Sequence, residues 1–409
     1  MIAPSWYRDL DPNGRRAFAS TYAAFSMDAM NIQLYSFTLP VLLTLWQLSP
    51  SAGGLLATVT LVASAAGGWL AGLLSDRLGR VRVLQATILW MALSTMACGL
   101  AQNYEQLLVA RVIQGVGFGA EWAVGAVFMG EIAAAATRGR LVGTAQSAWA
   151  VGWGLAAASS TLAIALLPPE PGWRAAFFLS LPMAAVIFLA RKRLHESATF
   201  LACPGADDWH RIFAVPMLGN TLRGSLLAIG THGGYWALAT WWPTMLKLER
   251  GMTNAQAATH MAMLVGGSLA GYALGATLAD RIGRRATLAL FAAGGIVTVL
   301  AATELPVSDA VLLALGAPLG LFAMGLYSAI GPVLNELYPT RLRGSGLGFC
   351  YNVGRGVAGL APFAVGGSIA AYGIAHSIGI YVSVAYVLVL VAAGVLRETR
   401  GMEFVGVEV

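Results

Sequence analysis

Long apolar stretches alternate with short polar segments along the whole chain. Each stretch is long enough to cross a bilayer, whose hydrocarbon core of about 30 Å needs roughly 20 helical residues. Breaks marked by charged residues, glycine or proline predict twelve spans, near residues 17–45, 53–75, 83–101, 106–130, 141–167, 174–190, 220–246, 258–279, 286–303, 310–335, 345–371 and 378–396. These spans use most of the chain, so the pattern predicts an all-α membrane protein with short loops.

Composition favours a membrane protein over a soluble one. Of the 409 residues, 57% are apolar and 11% are charged, whereas charged residues make up about 25% of a soluble domain. The net charge of +6 is spread singly or in small groups between the apolar runs, which is typical of signals for membrane topology. We therefore expect a lipid bilayer around the chain and no nucleic acid as a partner.

The distribution of basic residues predicts the orientation of the chain. If the N-terminus is cytoplasmic, most of the 25 lysines and arginines fall in inside segments, including Arg191, Lys192 and Arg193 after the sixth span. This bias and the even number of spans place both termini in the cytoplasm and the protein in the inner membrane. The first apolar run is too long for the core of a signal peptide, so we expect it to remain as a span.

The three cysteines, Cys98, Cys203 and Cys350, lie far apart and show no CxxC spacing. This pattern excludes a disulfide framework and a thiolate metal site. The sequence also has no cluster of Ser, His and Asp and no phosphate-binding loop of the kinds that enzymes use,. We therefore expect no metal, no cofactor and no enzymatic activity, and a membrane-embedded receptor or enzyme is the least favoured alternative.

Two charged motifs recur about 205 residues later, each after an even-numbered predicted span,. The first pair of copies is Gly72-Leu-Leu-Ser-Asp76-Arg77-Leu-Gly79-Arg80 and Ala276-Thr-Leu-Ala-Asp280-Arg281-Ile-Gly283-Arg284. The second pair places Glu131 and Arg138 opposite Glu336 and Arg343. The duplication predicts two six-helix bundles and a cytoplasmic linker, with boundaries at residues 1–191, 217–409 and 192–216.

The G-x-x-x-D-R-x-G-R pattern between the second and third spans resembles the signature of the major facilitator superfamily, and the resemblance covers the whole chain. It implies that superfamily's fold of two pseudo-symmetric six-helix bundles. Carboxylates in these motifs can bond to arginines of neighbouring cytoplasmic loops and hold one conformation from the inside. The predicted latch residues are Asp76, Arg77, Gly79, Arg80, Glu131, Arg138, Asp280, Arg281, Gly283, Arg284, Glu336 and Arg343.

The two copies of the motif differ at their first residue. The second copy has Ala276 where the first has Gly72, so we expect the second latch to be looser, because small residues allow close approach of helices. The alternative is that these charges only anchor the loops on one side of the membrane.

Within the superfamily, the chain is similar to proton-coupled symporters of sialic acid and of aromatic or monocarboxylic acids. The resemblance rests on four stretches, which are Trp6-Tyr7, Asp28, residues 111–123 and residues 336–355. It implies transport of a small organic anion together with protons. Relatives of this type often carry two acids in the first span, in a D-G-x-D pattern, whereas this chain reads Asp28-Ala-Met-Asn31.

An ionised group at the bilayer centre costs about 2.5–3.5 kcal/mol on insertion scales, so such groups persist where they face a cavity or a partner. Arg355 is predicted about half-way across the eleventh span. Its planar, permanently charged guanidinium suits a substrate carboxylate, and the alternative is that it neutralises Asp28 or Glu121. The predicted substrate-binding residues are Arg355, Asn352, Tyr351, Asn31 and Trp236.

The predicted proton-coupling residues are Asp28, Glu121, Arg111 and His232. A carboxyl in an apolar cavity can take up and release a proton, which makes Asp28 the better candidate carrier. Glu121 competes for that role, or it makes a hydrogen bond that packs two helices. Arg111 belongs to a stretch that resembles the superfamily's span-four motif, which is linked to proton coupling. His232 can titrate near neutral pH, or it can serve as a packing residue.

The sequence therefore predicts a secondary active transporter that imports an organic acid with protons by alternating access. Sialic acid, a small monocarboxylate and an aromatic acid such as benzoate or shikimate all fit one arginine, neutral donors and aromatic walls. A proton-driven exporter of drugs or metabolites is the alternative, and Arg355 disfavours it for cationic drugs. We expect the protein to be a monomer.

Overall fold

The computed structural model describes residues 5–8, 10–132, 141, 144–197, 209–339 and 342–399, and its regular structure there is helical. A short helix, Ser5–Arg8, precedes the first long one, and a 3₁₀ turn, Trp209–Phe213, precedes the seventh. The long helices are α1 Pro12–Leu45, α2 Pro50–Leu78, α3 Arg80–Leu100, α4 Tyr104–Ile132, α5 Ala148–Leu166, α6 Pro169–Phe178 with Leu181–Arg191, α7 Val215–Thr244, α8 Asn254–Arg281, α9 Arg284–Thr303, α10 Asp309–Glu336, α11 Arg343–Ala358 with Ala361–Tyr372, and α12 Ile374–Val395.

These helices confirm the predicted all-α membrane fold, and their ends differ from the predicted spans by a few residues. Ten spans in the described part of the chain are long and apolar enough to cross a membrane. The two remaining helices, α1 and α7, have 34 and 30 residues, but polar side chains such as Asp28 and His232 lower their hydropathy. The helices with the weakest membrane signal therefore carry several of the candidate site residues.

Two predicted spans are interrupted. α6 breaks at Leu179–Ser180 and α11 breaks at Gly359–Leu360. In each case a proline, Pro182 or Pro362, occupies the first turn of the second segment. Proline lacks an amide proton and disfavours helical backbone in the residue before it, so it suits the start of a helix and not its interior. The apolar run does not stop at either proline, so hydropathy alone predicts continuous spans.

The chain divides into two compact units. The first comprises Met1–Leu34 and Ala63–Asp207, and the second comprises Tyr35–Val62 and Asp208–Val409. Helices α1 and α2 therefore each contribute one end to each unit. The predicted linker over residues 192–216 lies partly outside the described residues, and the predicted bundle boundaries stay predictions.

In the first unit, α3 packs against α4 and α6, and α5 packs against α6. A buried apolar cluster joins α3 to α4 through side chains that include Leu84, Val124 and Phe128. This packing fixes the positions of the polar residues that α3, α4 and α6 carry among their apolar neighbours.

In the second unit, α8 packs along α10, α7 packs against α11 and α12, and α9 packs against α12. The segment Tyr35–Val62 joins this unit through the second half of α11. The amide of Phe363 donates to Thr58 Oγ1 at 3.2 Å, and a Cβ added to Gly54 would lie 2.8 Å from Phe363 Cα. The absence of a side chain at Gly54 therefore allows α2 and α11 to approach closely.

Candidate functional site

The first copy of the charged motif forms a tight turn between α2 and α3. Gly79 has φ +98°, a backbone region that residues with a Cβ rarely adopt. The carboxylate of Glu196 accepts hydrogen bonds from the amides of Arg80 at 2.9 Å and Val81 at 3.0 Å. Because the first amides of a helix have no partner within it, Glu196 caps α3 and places a negative charge at its positive end.

The guanidinium of Arg80 holds this turn against α4. Its Nε donates to Glu131 Oε1 at 3.1 Å, and its Nη2 lies 3.1 Å from the same oxygen. Its Nη1 donates to the carbonyl oxygen of Ser75 at 2.7 Å. The hydroxyl of Ser197 donates to the second oxygen of Glu131. The structure therefore brings together Arg80 and Glu131, two of the predicted latch residues.

The second copy repeats the turn between α8 and α9. Gly283 has φ +97°, which matches Gly79. The carboxylate of Glu398 accepts hydrogen bonds from the amides of Arg284 at 2.9 Å and Arg285 at 3.1 Å. Glu398 therefore caps α9 in the same way as Glu196 caps α3.

The guanidinium of Arg284 repeats the contacts of Arg80. It binds both oxygens of Glu336, with Nη2 at 3.0 Å from Oε1 and Nε at 3.3 Å from Oε2. Its Nη1 donates to the carbonyl oxygen of Ala279 at 2.7 Å and to Asp280 at 2.8 Å. The hydroxyl of Thr399 donates to Glu336. The duplication seen in the sequence is thus also a duplication of hydrogen bonds.

Five further residues were predicted for the latch, which are Asp76, Arg77, Arg138, Arg281 and Arg343. Arg77 and Arg281 are exposed. Arg138 and the side chains of Asp76 and Arg343 lie outside the described residues. The expected looseness of the second copy stays a prediction.

Sequence reasoning missed the two capping glutamates. Leu194-His-Glu196-Ser197 follows α6, and Leu396-Arg-Glu398-Thr399 follows α12. These stretches lie about as far apart as the two motif copies, so the same search for repeats could have found them. The similarity is hard to detect because each stretch has only four residues and Ser197 in the first corresponds to Thr399 in the second.

Glu121, a predicted proton-coupling residue, is an ion-pair partner in the first unit. Its carboxylate accepts from both terminal nitrogens of Arg191, with Nη1 at 2.8 Å from Oε2. Thr87 donates to it as well, and both charged side chains are fully buried. The sequence analysis counted Arg191 among the charges of the inside segments, and its side chain is buried and pairs with Glu121.

Arg111 is 1% exposed and belongs to a hydrogen-bonded chain between α4 and α3. Its Nη1 donates to Gln114 Oε1 at 2.6 Å, and Gln114 Nε2 donates to Thr95 Oγ1 at 2.9 Å. The neighbouring Cys98 lies 3.8 Å from the same glutamine oxygen. This chain fixes the rotamer of Arg111 and disperses its charge over neutral groups.

Asp28 and Asn31 lie one helical turn apart on α1, in the part of that helix that belongs to the first unit. They are 2% and 1% exposed. Both amide atoms of Asn31 lack a hydrogen-bond partner among the described residues. Asp28 lines a small recess whose other walls are Phe25, Phe118, Trp122, Gln146 and Trp149. The polar groups of this lining are the carboxyl of Asp28 and the amide of Gln146, and the other four side chains are aromatic.

Arg355 anchors a second cluster, on α11 in the other unit. It is 2% exposed, and its Nη2 donates to Asn352 Oδ1 at 2.6 Å. Its guanidinium carbon lies 5.7 Å from the ring centroid of Tyr351. The Nδ2 of Asn352 in turn donates to the carbonyl oxygen of Gly348 at 2.9 Å. Three predicted substrate residues therefore meet within one turn of helix, with the arginine held in place by an amide.

Aromatic rings from α7 and α10 complete this cluster. The ring of His232 lies 4.5 Å from that of Tyr351 and 5.2 Å from that of Tyr327. Tyr235 lies 5.7 Å from Tyr327 and 4.9 Å from Trp236. His232 thus joins the predicted substrate residues. Tyr327 was missed, because an isolated tyrosine in an apolar span resembles any packing or interfacial residue.

Both halves of the chain match known transporters. Residues 21–204 match the family profile described as Major Facilitator Superfamily, and residues 205–409 match that of Sugar (and other) transporter. A probable 4-methylmuconolactone transporter of Cupriavidus pinatubonensis is 36% identical over 403 residues, which cover 97% of this chain and 94% of that protein. A cis,cis-muconate transport protein of Acinetobacter baylyi is 29% identical over 86% of each chain.

A solved structure of a proton:xylose symporter has a TM-score of 0.78 at 18% identity and covers 96% of this chain and 98% of that one. This likeness establishes the shared fold. Together with the full-length similarity to the muconolactone transporter, it shows that the chain is a membrane transporter and not an enzyme. The protein belongs to the Major Facilitator Superfamily.

Proposed function

We propose that this transporter imports a small organic acid together with protons, and that Arg355 binds the carboxylate of the substrate. The observation that carries the proposal is the buried guanidinium of Arg355, which Asn352 orients within an aromatic cluster. An anionic ligand stabilises a permanent charge that is buried among membrane helices. A carboxylate matches the planar donors of the guanidinium in geometry and charge.

The surroundings of Arg355 favour a flat or unsaturated acid. Tyr351 lies beneath the guanidinium, and the rings of His232, Tyr327 and Tyr235 continue from it. Aromatic walls bind planar π-systems more favourably than they bind polyhydroxylated chains. The names of the two relatives, a muconolactone transporter and a muconate transport protein, support small unsaturated acids over sialic acid.

Asp28 is the proposed proton carrier. It is buried beside the unpartnered amide of Asn31 and lines the aromatic recess of the first unit. A carboxyl in such surroundings can exist in neutral form and can therefore carry a proton through an apolar region. Glu121 suits a structural role better, because Arg191 already compensates its charge.

The two latch networks support alternating access. Each holds the start of one helix, α3 or α9, to the end of another, α4 or α10, through an arginine–glutamate pair. Such pairs can form in one conformation and break in the other, which biases the equilibrium between two states. In the proposed orientation they lie at the cytoplasmic side, with both termini.

Uptake into proteoliposomes tests the proposal. We would add labelled cis,cis-muconate, 4-methylmuconolactone, benzoate, shikimate or sialic acid outside, with an inward proton gradient and then with that gradient collapsed by an uncoupler. We expect at least one unsaturated or aromatic acid to accumulate only with the gradient. Liposomes without protein correct for passive entry of the neutral acids.

Three variants assign the roles. Arg355→Gln should lower binding and uptake about 10- to 100-fold, the usual weight of a charged hydrogen-bonded pair. Asp28→Asn should keep substrate exchange and lose gradient-driven accumulation. Arg82→Gln, which changes an exposed arginine, is the matched control. If no acid moves, or if Arg355→Gln transports like the wild type, the carboxylate site is wrong, and export of an uncharged or cationic compound becomes the function to test.

A further inference from the structure

One nitrogen of the His232 imidazole makes a hydrogen bond, and the other has no hydrogen-bond partner among the described residues. Nδ1 lies 2.8 Å from the carbonyl oxygen of Ala228, one turn earlier on α7. A carbonyl only accepts hydrogen bonds, so Nδ1 carries the proton. In the neutral ring the other nitrogen, Nε2, is then an acceptor.

Nε2 has no hydrogen-bond partner among the described residues, and the side chain is 1% exposed. A buried polar atom without a partner is unfavourable, and native proteins keep few of them. In a transporter, a polar atom buried in the substrate cluster can be satisfied by the substrate.

The ring cannot easily turn to find another partner. Tyr351 and Tyr327 meet it nearly edge-on, with interplanar angles of 86° and 75°. Tyr351 is also the ring beneath the guanidinium of Arg355, at 5.7 Å. His232 and Arg355 therefore contact the same tyrosine, within reach of one small ligand.

We infer that His232 is a specificity-determining residue, whose Nε2 accepts a hydrogen bond from a hydroxyl or N–H group of the acid bound at Arg355. This inference rests on the proposed function and narrows its substrate class to small planar acids that carry a hydrogen-bond donor. A substrate that offers only an acceptor leaves Nε2 unsatisfied, and the site discriminates against it for that reason.

Titration calorimetry on the purified full-length protein tests the inference. The ligands are benzoate, 3-hydroxybenzoate, 4-hydroxybenzoate and nicotinate, which share a ring and a carboxylate and differ in donor and acceptor groups. We expect at least one hydroxybenzoate to bind about 10- to 100-fold more tightly than benzoate, the range expected for satisfying a buried acceptor. Nicotinate, which adds only an acceptor, should not exceed benzoate.

Two variants distinguish the effect of the acceptor nitrogen on binding from the effect of the shape of the ring. His232→Phe keeps a ring between the two tyrosines and removes the acceptor, so the ratio of affinities for hydroxybenzoate and benzoate should fall to about one. His232→Gln retains an acceptor oxygen and should keep part of the preference. Melting temperatures of both variants check that they fold. If His232→Phe does not fold, the hydroxyl preference is measured in His232→Ala, where it should also be lost.

Three results would overturn the inference. One is equal affinity for benzoate and both hydroxybenzoates. Another is a hydroxyl preference that survives in His232→Phe. The third is a nicotinate preference that His232→Phe removes, because the ring would then donate. In each of these cases benzoate still binds and the proposed function stands. A wild-type protein that binds none of the four acids contradicts the inference, and the uptake assay with the unsaturated acids then decides the proposed function.

Discussion

At the residue scale, the pairing of Glu121 with Arg191 explains how a carboxylate is held within a membrane helix. Both side chains are fully buried, and the arginine also donates to the carbonyl oxygen of Leu84 at 2.6 Å. Desolvating two charges is costly, and the attraction between them offsets that cost only while both are present. The pair is therefore sensitive to the loss of either partner and tolerant of the loss of both.

This sensitivity gives the first prediction. Glu121→Gln leaves the Arg191 charge buried without its counter-ion, which should destabilise the protein by about 3–5 kcal/mol. The double variant Glu121→Leu, Arg191→Met removes both charges and should recover most of that loss. Melting temperatures in detergent measure both effects. Glu170→Gln, which changes an exposed partner of Arg174, is the control.

The outcome also separates two roles for Glu121. If Glu121→Gln melts like the wild type but loses gradient-driven accumulation, Glu121 carries a proton and the structural account is wrong. The sequence analysis could identify Glu121 as a buried acid because it interrupts an apolar run. It could not identify Arg191 as its partner, since that contact joins residues 70 positions apart and nothing local encodes it.

At the scale of helices, the starts of α3 and α9 depend on a glycine and a glutamate. A Cβ added to Gly79 would lie 2.9 Å from the carboxyl carbon of Glu196, and φ +98° is unfavourable for alanine. Both the positive φ and the carboxylate of Glu196 therefore disfavour a side chain at position 79. The motif also contains Gly72, where an added Cβ meets nothing within 4 Å.

This difference between two glycines of one motif gives the second prediction. Gly79→Ala should cost about 1–3 kcal/mol in strain and disturb the cap of α3. Gly72→Ala should be neutral or slightly stabilising, because alanine favours helix. Hydrogen exchange at the amides of Arg80 and Val81 should accelerate only in Gly79→Ala. Equal exchange in both variants would show that the turn does not need a positive φ.

The sequence predicted the helices better than it predicted their interruptions and contacts. Periodic apolar runs locate the spans, because the bilayer imposes one length and one polarity on all of them. The breaks before Pro182 and Pro362 were missed, because hydropathy does not register a missing amide proton. The latch pairs Arg80–Glu131 and Arg284–Glu336 form from residues that the repeat singled out, whereas their roles as a latch stay predictions.

At the scale of the whole molecule, the segment Tyr35–Val62 is informative because it belongs to the second unit. It packs on the second half of α11, where Trp241 Nε1 also donates to the carbonyl oxygen of Pro362 at 2.9 Å. Under alternating access, contacts that close one side of a transporter must open again in each cycle. We expect the contacts of Gly54 and Thr58 with α11 to be among them.

The third prediction tests this contact. Gly54→Ala introduces a Cβ against the backbone of Pro362 and Phe363, which cannot move aside cheaply. It should loosen the contact and raise the rate of thiol labelling at Thr58→Cys several-fold, because local opening governs access to buried sites. Gly367→Ala, whose Cβ would lie 3.9 Å from its nearest neighbour, is the control. An unchanged labelling rate in Gly54→Ala would mean that this contact does not restrict opening.

The central claim for the molecule is that the acid bound at Arg355 and the proton carried by Asp28 cross together. It is tested most directly by proton flux in proteoliposomes that contain a trapped pH indicator and start without any imposed gradient. Adding the acid that the uptake assay identifies should acidify the lumen in the wild type beyond the change in protein-free liposomes. Asp28→Asn and Arg355→Gln should abolish that excess. Substrate entry without acidification, or acidification by Asp28→Asn at the wild-type rate, would contradict the account.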